Sequence, residues 1–490
     1  MPDRNLVESL AFGVYGFRRT HTQAYCLYSD LADVDPDRYR SAQVSTDLID
    51  KVHHYNPSRM ISIPELHELF LKHPHVSTDT RNLPAGCIYV ALKGPNFNGN
   101  AFALQALNNG ASYAIVDEHV GEDARLIRCQ DTLKTLQDLA TYHRKAMDVH
   151  VLAITGSNGK TTTKELTAAV LSRGFETLYT EGNLNNHIGV PLTLLRITED
   201  HDFAVVEMGA NHQGEIALLC SIAQPDYGII TNIGKAHLEG FGGPEGVKKG
   251  KGEMYTFLKQ HDGLIFRSSD QPALDDLAGD YPECVLFGRS EEADFRGNVV
   301  NGDGPFLCVE LTEPEYALIP THLTGDYNLD NVMCAVAVGL HFGIPVEEIH
   351  DAIENYNPDN QRSQVIQKNG ITIVLDAYNA NPTSMAAALK NFAQHFSGHR
   401  IIALGEMLEL GETSAEEHAT IAALASGCGA DRVLLVGPGF AGAAAETGAS
   451  HFEDSVACAQ WLRKALPEKA SILIKGSRGS KMEKLLQAFE

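Results

Sequence analysis

The stretch AITGSNGKTTTK, from Ala153 to Lys164, brings glycines, a lysine and threonines together in an order suited to holding phosphate. Gly156 and Gly159 let the backbone approach an anion closely, and Lys160 adds a mobile charge for β- and γ-phosphates. Thr161 follows the lysine, where a hydroxyl normally ligates Mg²⁺. The spacing is short, because a P-loop ordinarily carries glycine about five residues before its Gly-Lys pair and Ile154 stands there. A strand before the loop and a helix after it would aim several N–H groups, and the positive end of the helix dipole, at one point. That pattern is an ATP site.

Two further residues could act beside it. Glu207 ends the apolar run AVVEMG, and a carboxylate at a strand's carboxyl end points towards the ligand crevice. Oxygen ligands suit Mg²⁺, so Glu207 is a candidate metal ligand next to Thr161, although a surface glutamate is the plainer reading of it alone. His237, in TNIGKAHLEGFG, ends a similar strand-and-loop segment. A lone histidine is more often structural than functional, and the residues leave both open.

Residues 1–59 show weak periodicity and read as an extension of no assigned role, with disorder as the expectation. Over 60–148, ISIPELHELFLKH and AFALQALNNGA read as helices, and GCIYVAL and SYAIVD as strands, giving a small α/β domain. Over 149–358, the strand HVLAIT precedes the glycine loop, and Leu166, Ala169 and Val170 line one face of the helix, which Gly174 ends. Strands recur at DFAVVEMG and DYGIITNIG, as in a P-loop ATPase-type parallel sheet. Over 359–490, strands ITIVLDAY, RIIALGEM, DRVLLVG and SILIKGS alternate with helical runs, the last being KMEKLLQAF. This alternation predicts a Rossmann-like, doubly wound domain whose ligands gather at LDAYNANP, LGEMLELGE and IKGSRG, the carboxyl ends of its strands. The expected fold class is therefore α/β with three domains.

A chain of 490 residues with 43% hydrophobic and 21% charged residues is ordinary for a globular protein. The net charge of −24, spread along the chain, argues against a nucleic-acid partner. Nine cysteines without a C-x-x-C pair indicate neither a disulfide framework nor a zinc site. No apolar run reaches the roughly 20 residues that cross a bilayer, and no secretory signal is visible, so the cytoplasm is the expected location.

Taken together, GSNGKTT, EGNLNNHIGVPLTLL, VEMGANHQGEI and TNIGKAHLEGFG resemble the ATP-dependent Mur ligase family, which builds the peptide stem of bacterial cell-wall precursors and whose P-loop has this short spacing. LDAYNANPTSM, ALGEMLELGETSAEEH and IKGSRGSKME are similar to the third-domain motifs of the member that acts last. STDTRNLPAGCIYVALKGPNFNG resembles its uridine-nucleotide-binding domain, and the resemblance spans about residues 60–490. It implies an ADP-forming ligase that joins D-alanyl-D-alanine to UDP-N-acetylmuramoyl-tripeptide, with ATP and two Mg²⁺ ions, acting as a monomer in peptidoglycan synthesis and so in cell shape and division.

The resemblance also implies roles residue by residue. Gly156, Ser157, Asn158, Gly159, Lys160, Thr161 and Thr162 would hold the ATP phosphates. Thr161 and Glu207 would share one Mg²⁺, and His237 would reach the second. Lys251, in KKGKGEMY, matches the family lysine carried as a carbamate, although a solvated lysine run is the other reading. Asn183 and Asn186 would lie near the muramyl substrate, and Asn331 near the adenine. Tyr327 stands where many relatives have histidine. Arg362, Asp376 and Asn379 would face ATP from the third domain, and Thr78, Asp79 and Arg81 would help hold the nucleotide-sugar. Another amide ligase of this architecture, adding a different amino acid or extending a folate with glutamate, is the nearest alternative; a non-catalytic nucleotide-binding relative is the other.

Overall fold

The computed structural model describes residues 60–300, 304–313, 316–359 and 361–490; the extension assigned to residues 1–59 lies outside the described residues. Helix α1 (Ile63–Lys72) opens with a capping box in which Ser62 accepts from the Glu65 N–H and Glu65 reaches back to the Ser62 N–H. Four short parallel strands follow, β1 (Val76–Ser77), β2 (Ile88–Val90), β3 (Tyr113–Val116) and β4 (Leu126–Arg128), in spatial order β1-β2-β3-β4. Helix α2 (Thr132–Ala146), capped by Asp131, leads to the next sheet.

That sheet begins with β5 (His150–Thr155), followed by β6 (Thr177–Tyr179), β7 (Phe203–Glu207), β8 (Tyr227–Ile230), β9 (Leu264–Ser268), β10 (Cys284–Gly288), β11 (Phe295–Val300), β12 (Phe306–Glu313) and β13 (Ala317–Thr324). Its spatial order is β13-β12-β11-β10-β9-β8-β5-β7-β6, parallel from β6 to β11, with β12 and β13 added antiparallel. Central β5 is buried from Val151 to Thr155, as a parallel strand covered on both faces must be.

Helix α3 (Lys160–Leu171) was expected to show one apolar face through Leu166, Ala169 and Val170. Instead it is buried around most of its circumference, and Ala169 is only partly covered. A second helix, α5 (Leu329–His341), packs on α3 so closely that a Cβ on Gly339 would fall 2.5 Å from Val170. The helix ends at Leu171, and Gly174 lies beyond it against Ile344. Between them in sequence, α4 (Pro244–Gln260) carries the lysine run.

The last sheet comprises β14 (Gln364–Lys368), β15 (Ile371–Asp376), β16 (Arg400–Gly405), β17 (Arg432–Val436), β18 (Ser450–Phe452) and β19 (Ala470–Lys475). Its order is β14-β15-β19-β16-β17-β18, parallel except for β14. Helices α6 (Pro382–His395) and α7 (Ser414–Gly427) connect its strands. The closing run KMEKLLQAF is a 3₁₀ helix rather than an α-helix: Met482, Leu485 and Ala488 are buried at a spacing of three, which matches three residues per turn.

Candidate active site

The glycine loop joins β5 to α3 and is held in shape by the segment after β8. Thr231 donates its hydroxyl to the Asn158 carbonyl at 2.5 Å, Asn232 Oδ1 accepts from the Asn158 N–H at 3.1 Å, and the Ser157 hydroxyl accepts from the Gly234 N–H at 2.9 Å. These contacts leave no room for side chains. A Cβ on Gly156 (φ +139°) would lie 2.0 Å from Thr231 Oγ1, and one on Gly159 (φ +80°) 2.4 Å from Asn331 Oδ1. Both positions need glycine for conformation and for space.

Lys160 bends back over the loop and donates to the carbonyls of Gly156 at 2.7 Å and Ser157 at 3.3 Å. Desolvation pushes its ammonium down to about 8, with Glu207 opposing the fall and Arg362 adding to it. Beside it Thr161 donates to Glu207 Oε2 at 2.8 Å, and Asn185 donates to Glu207 Oε1 at 2.7 Å. Glu207 is buried, 2% exposed, at the end of β7. A hydroxyl and a carboxylate adjoining the phosphate loop form an all-oxygen donor set, which fits Mg²⁺.

His237 adopts the left-handed conformation (φ +52°), and its Nδ1 is paired with a Glu409 carboxylate oxygen across from it, a residue also left-handed (φ +61°). Lys251, on α4, is 1% exposed; its Nζ donates to the Ala210 carbonyl at 3.1 Å and sits 5.1 Å from the Phe241 ring centre. Burial holds its amine well below the ordinary lysine range, and the nearby Lys160 charge lowers it further.

A cavity of about 980 Å³ runs between two walls. One wall carries Ser157 to Thr162, Asn183, Asn185, Asn186, Glu207, His237 and Asn331; the other carries Arg362, Asp376, Tyr378, Asn379, Lys475 and Arg478. Asn186 spends its side-chain oxygen on the N–H groups of Ile188 and Gly189. Asn331 accepts from Thr163 at 3.0 Å and donates to Asn328 at 2.7 Å, tying α3 to α5. Tyr327 shares a 3.0 Å hydrogen bond with Ser363. On the far wall Lys475 donates to Asp376 at 2.6 Å and to the Asn379 carbonyl at 3.3 Å, while the Arg362 guanidinium lies 3.8 Å from the Tyr378 ring centre. The walls meet where Asn381 donates to Asn158 Oδ1 at 2.8 Å.

Most of the predicted site residues thus share one cavity. Gly156 shapes the loop without lining it, and buried Lys251 does not line it. Thr78, Asp79 and Arg81 stand apart, in the turn after β1, where hydrogen bonds from Arg81 hold the Asp79 carboxyl down, to about 2. Sequence reasoning overlooked Asn185, Tyr378, Asn381, Glu409, Lys475 and Arg478. All but Asn185 are flagged only by their neighbourhood, the polar segments at strand ends, and Asn185 was hidden between the two asparagines chosen beside it.

Comparison with known proteins agrees with this architecture. Residues 154–339 match the Mur ligase middle domain, and residues 361–478 match the Mur ligase, glutamate ligase domain. The UDP-N-acetylmuramoyl-tripeptide–D-alanyl-D-alanine ligase of Escherichia coli is 37% identical over 85% of this chain and 93% of its own length, and that of Bacillus subtilis is 35% identical over 84% and 92%. The crystal structure of MurF from Acinetobacter baumannii superposes with a TM-score of 0.78 at 33% identity, covering 85% of this chain and 93% of its own. MurF from Thermotoga maritima, solved in complex with ADP, gives 0.76 at 27% identity over 85% and 96%. With a short glycine loop, a Thr-Glu pair beside it and relatives matched along nearly their whole length, the chain belongs to the Mur ligase family.

Proposed function

We propose that this chain uses ATP to join D-alanyl-D-alanine to UDP-N-acetylmuramoyl-tripeptide, releasing ADP and phosphate. The observation that carries this reading is the single cavity in which the glycine loop and the Thr161–Glu207 pair face a second wall of polar and cationic groups from the last sheet. In this reading the three larger sheets serve three domains: 60–148 for the nucleotide-sugar, with Thr78, Asp79 and Arg81; 149–358 for ATP; and 359–490 closing over it.

A carboxylate resists attack by amines because its leaving group would be oxide. Here an oxygen of the tripeptide's terminal carboxylate attacks the γ-phosphorus and ADP departs, leaving an acyl phosphate. The dipeptide's amine then bonds to the acyl carbon and loses a proton, and phosphate leaves with the former carboxylate oxygen. The loop N–H groups and Lys160 bind and align the phosphates, stabilising charge as it moves. Magnesium, when bound, neutralises the phosphate oxygens; Thr161 and Glu207 would hold one ion, and His237 with a carbamate on Lys251 the other. Burial that weakens the hold of the Lys251 amine on its proton supports the last point, since only the unprotonated nitrogen bonds to CO₂, with loss of a proton. Asn183 and Asn186 would lie near the muramyl end, a role supported by their lining the same cavity as the loop. The enzyme works as a monomer in the cytoplasm; no described helix is long and apolar enough to cross a membrane, and the described cysteines are free, as a reducing compartment keeps them.

The test is phosphate release from ATP with UDP-N-acetylmuramoyl-tripeptide, with and without D-alanyl-D-alanine, using heavy oxygen in the tripeptide's carboxyl. Label is expected in the released phosphate only when amide forms. Unlabelled phosphate alongside new amide would refute the acyl phosphate route, and no amide at all would refute the function.

A further inference from the structure

Five lysine and arginine side chains line the cavity, and their partners divide them. Lys475 is neutralised by Asp376 at 2.6 Å, and Arg289 by Asp270 at 3.0 Å. Lys160 rests on loop carbonyls. Arg362 and Arg478 have no acidic partner among the described residues, yet both stand over one ring, Tyr378, at 3.8 and 5.5 Å from its centre. Two guanidinium groups sharing a ring without a counter-charge form a place for an anion. Arg362 is close enough to Lys160 to oppose its charge, which sets it toward the phosphates. Arg478 is left over, exposed to the cavity.

Its mounting is rigid. Arg478 starts a tight turn in which Ser480 donates its N–H to the Ser477 carbonyl at 3.0 Å and its hydroxyl to the same oxygen at 2.6 Å. Behind the turn Gly476 packs against Gly405, where a Cβ would come within 3.0 Å of the facing Cα. From this anchored backbone the guanidinium can meet a carboxylate as a fork, with two parallel hydrogen bonds.

Building on the ligase reading above, we propose that Arg478, beside Tyr378, binds the free carboxylate of the incoming D-alanyl-D-alanine and thereby sets specificity for a dipeptide acid. The ATP phosphates belong to the glycine loop, with Arg362 reaching toward them, and the tripeptide's carboxylate is consumed in the reaction. The dipeptide's own carboxylate is the anion that remains. An extended dipeptide spans about 7 Å, so fixing its acid end on the far wall sends the amine toward the loop where the acyl phosphate forms.

Steady-state ligation by the full chain, with D-alanyl-D-alanine and with its C-terminal amide, tests this. The wild type is expected to prefer the acid strongly. Arg478→Gln should raise KM for the acid roughly 10–100-fold, as loss of a charge-assisted pair does, while KM for ATP and for the tripeptide stays within about twofold. It should also erase the preference over the amide, and Arg478→Lys should recover part of it. A wild type that uses amide and acid equally overturns the proposal without recourse to any variant; so does a variant whose KM rises for ATP instead. A wild type that ligates neither compound defeats the ligase reading itself, a distinct outcome.

Discussion

Lys160 is costly to the empty protein and valuable to the occupied one. Desolvation disfavours its ammonium in the free chain, and phosphates would restore a partner for it. Lys160→Ala should therefore lower the ligation rate by at least about 10²–10³-fold without lowering the melting temperature. Phosphate release and a thermal melt on the same purified variant check both halves; near-normal turnover would remove Lys160 from the proposed machinery. Lys251 offers a sharper chemical test. If its buried amine is carried as a carbamate, Lys251→Ala should be inactive and partly rescued by short carboxylic acids that fit the vacated space. Full wild-type activity in bicarbonate-free buffer would count against the carbamate.

At the scale of elements, the glycine loop is defined by what crowds it. Gly156→Ala must fit a methyl group 2.0 Å from Thr231 Oγ1 at φ +139°, so a cost of about 1–3 kcal/mol and loss of ATP binding are expected, measured by denaturant unfolding and nucleotide titration. Helices α1 and α2 meet through a different device. His143 Nε2 lies 2.9 Å from the Ile197 carbonyl and must donate to it, so its Nδ1 accepts from His67 Nε2–H at 3.0 Å. Burial holds both rings below 6.5, so the unfolded chain takes up protons there before the native one does. Stability contributed by the neutral pair is present above pH 6.5 and is lost as pH falls below it. The melting temperature should drop between pH 7.5 and 5.5, and less so in His143→Gln; an unchanged drop would show that other groups dominate.

Across the whole molecule, the central and last sheets grip each other at one edge of the cavity. Lys235 donates its N–H to Thr383 at 3.1 Å and its ammonium to Glu417 at 2.6 Å, next to the His237–Glu409 pair. An exposed ion pair of this kind contributes about 1 kcal/mol or less, enough to bias a closed arrangement without locking it. Lys235→Glu should lower kcat a few-fold, and adding Glu417→Lys should restore it, with both effects shrinking at high salt. Failure of the reversed pair to recover would separate this contact from turnover.

Local order made much of this protein readable in advance. The Gly-Lys-Thr run, the buried strand before it and the β/α alternation after residue 370 depend on neighbours in sequence, and spacing alone identifies them. The α3 face and the final 3₁₀ turn were misjudged because a second helix and a buried spacing of three, both set by distant packing, override local periodicity. Partnerships across long sequence separations belonged to the tertiary structure alone. Glu207 and Thr161 are 46 positions apart, Lys475 and Asp376 99, and nothing in either neighbourhood tells which cation finds an acid and which, like Arg478, is left facing a cavity. Charge pairing depends on distance in space and on desolvation, and the chain acquires those only when its sheets have packed.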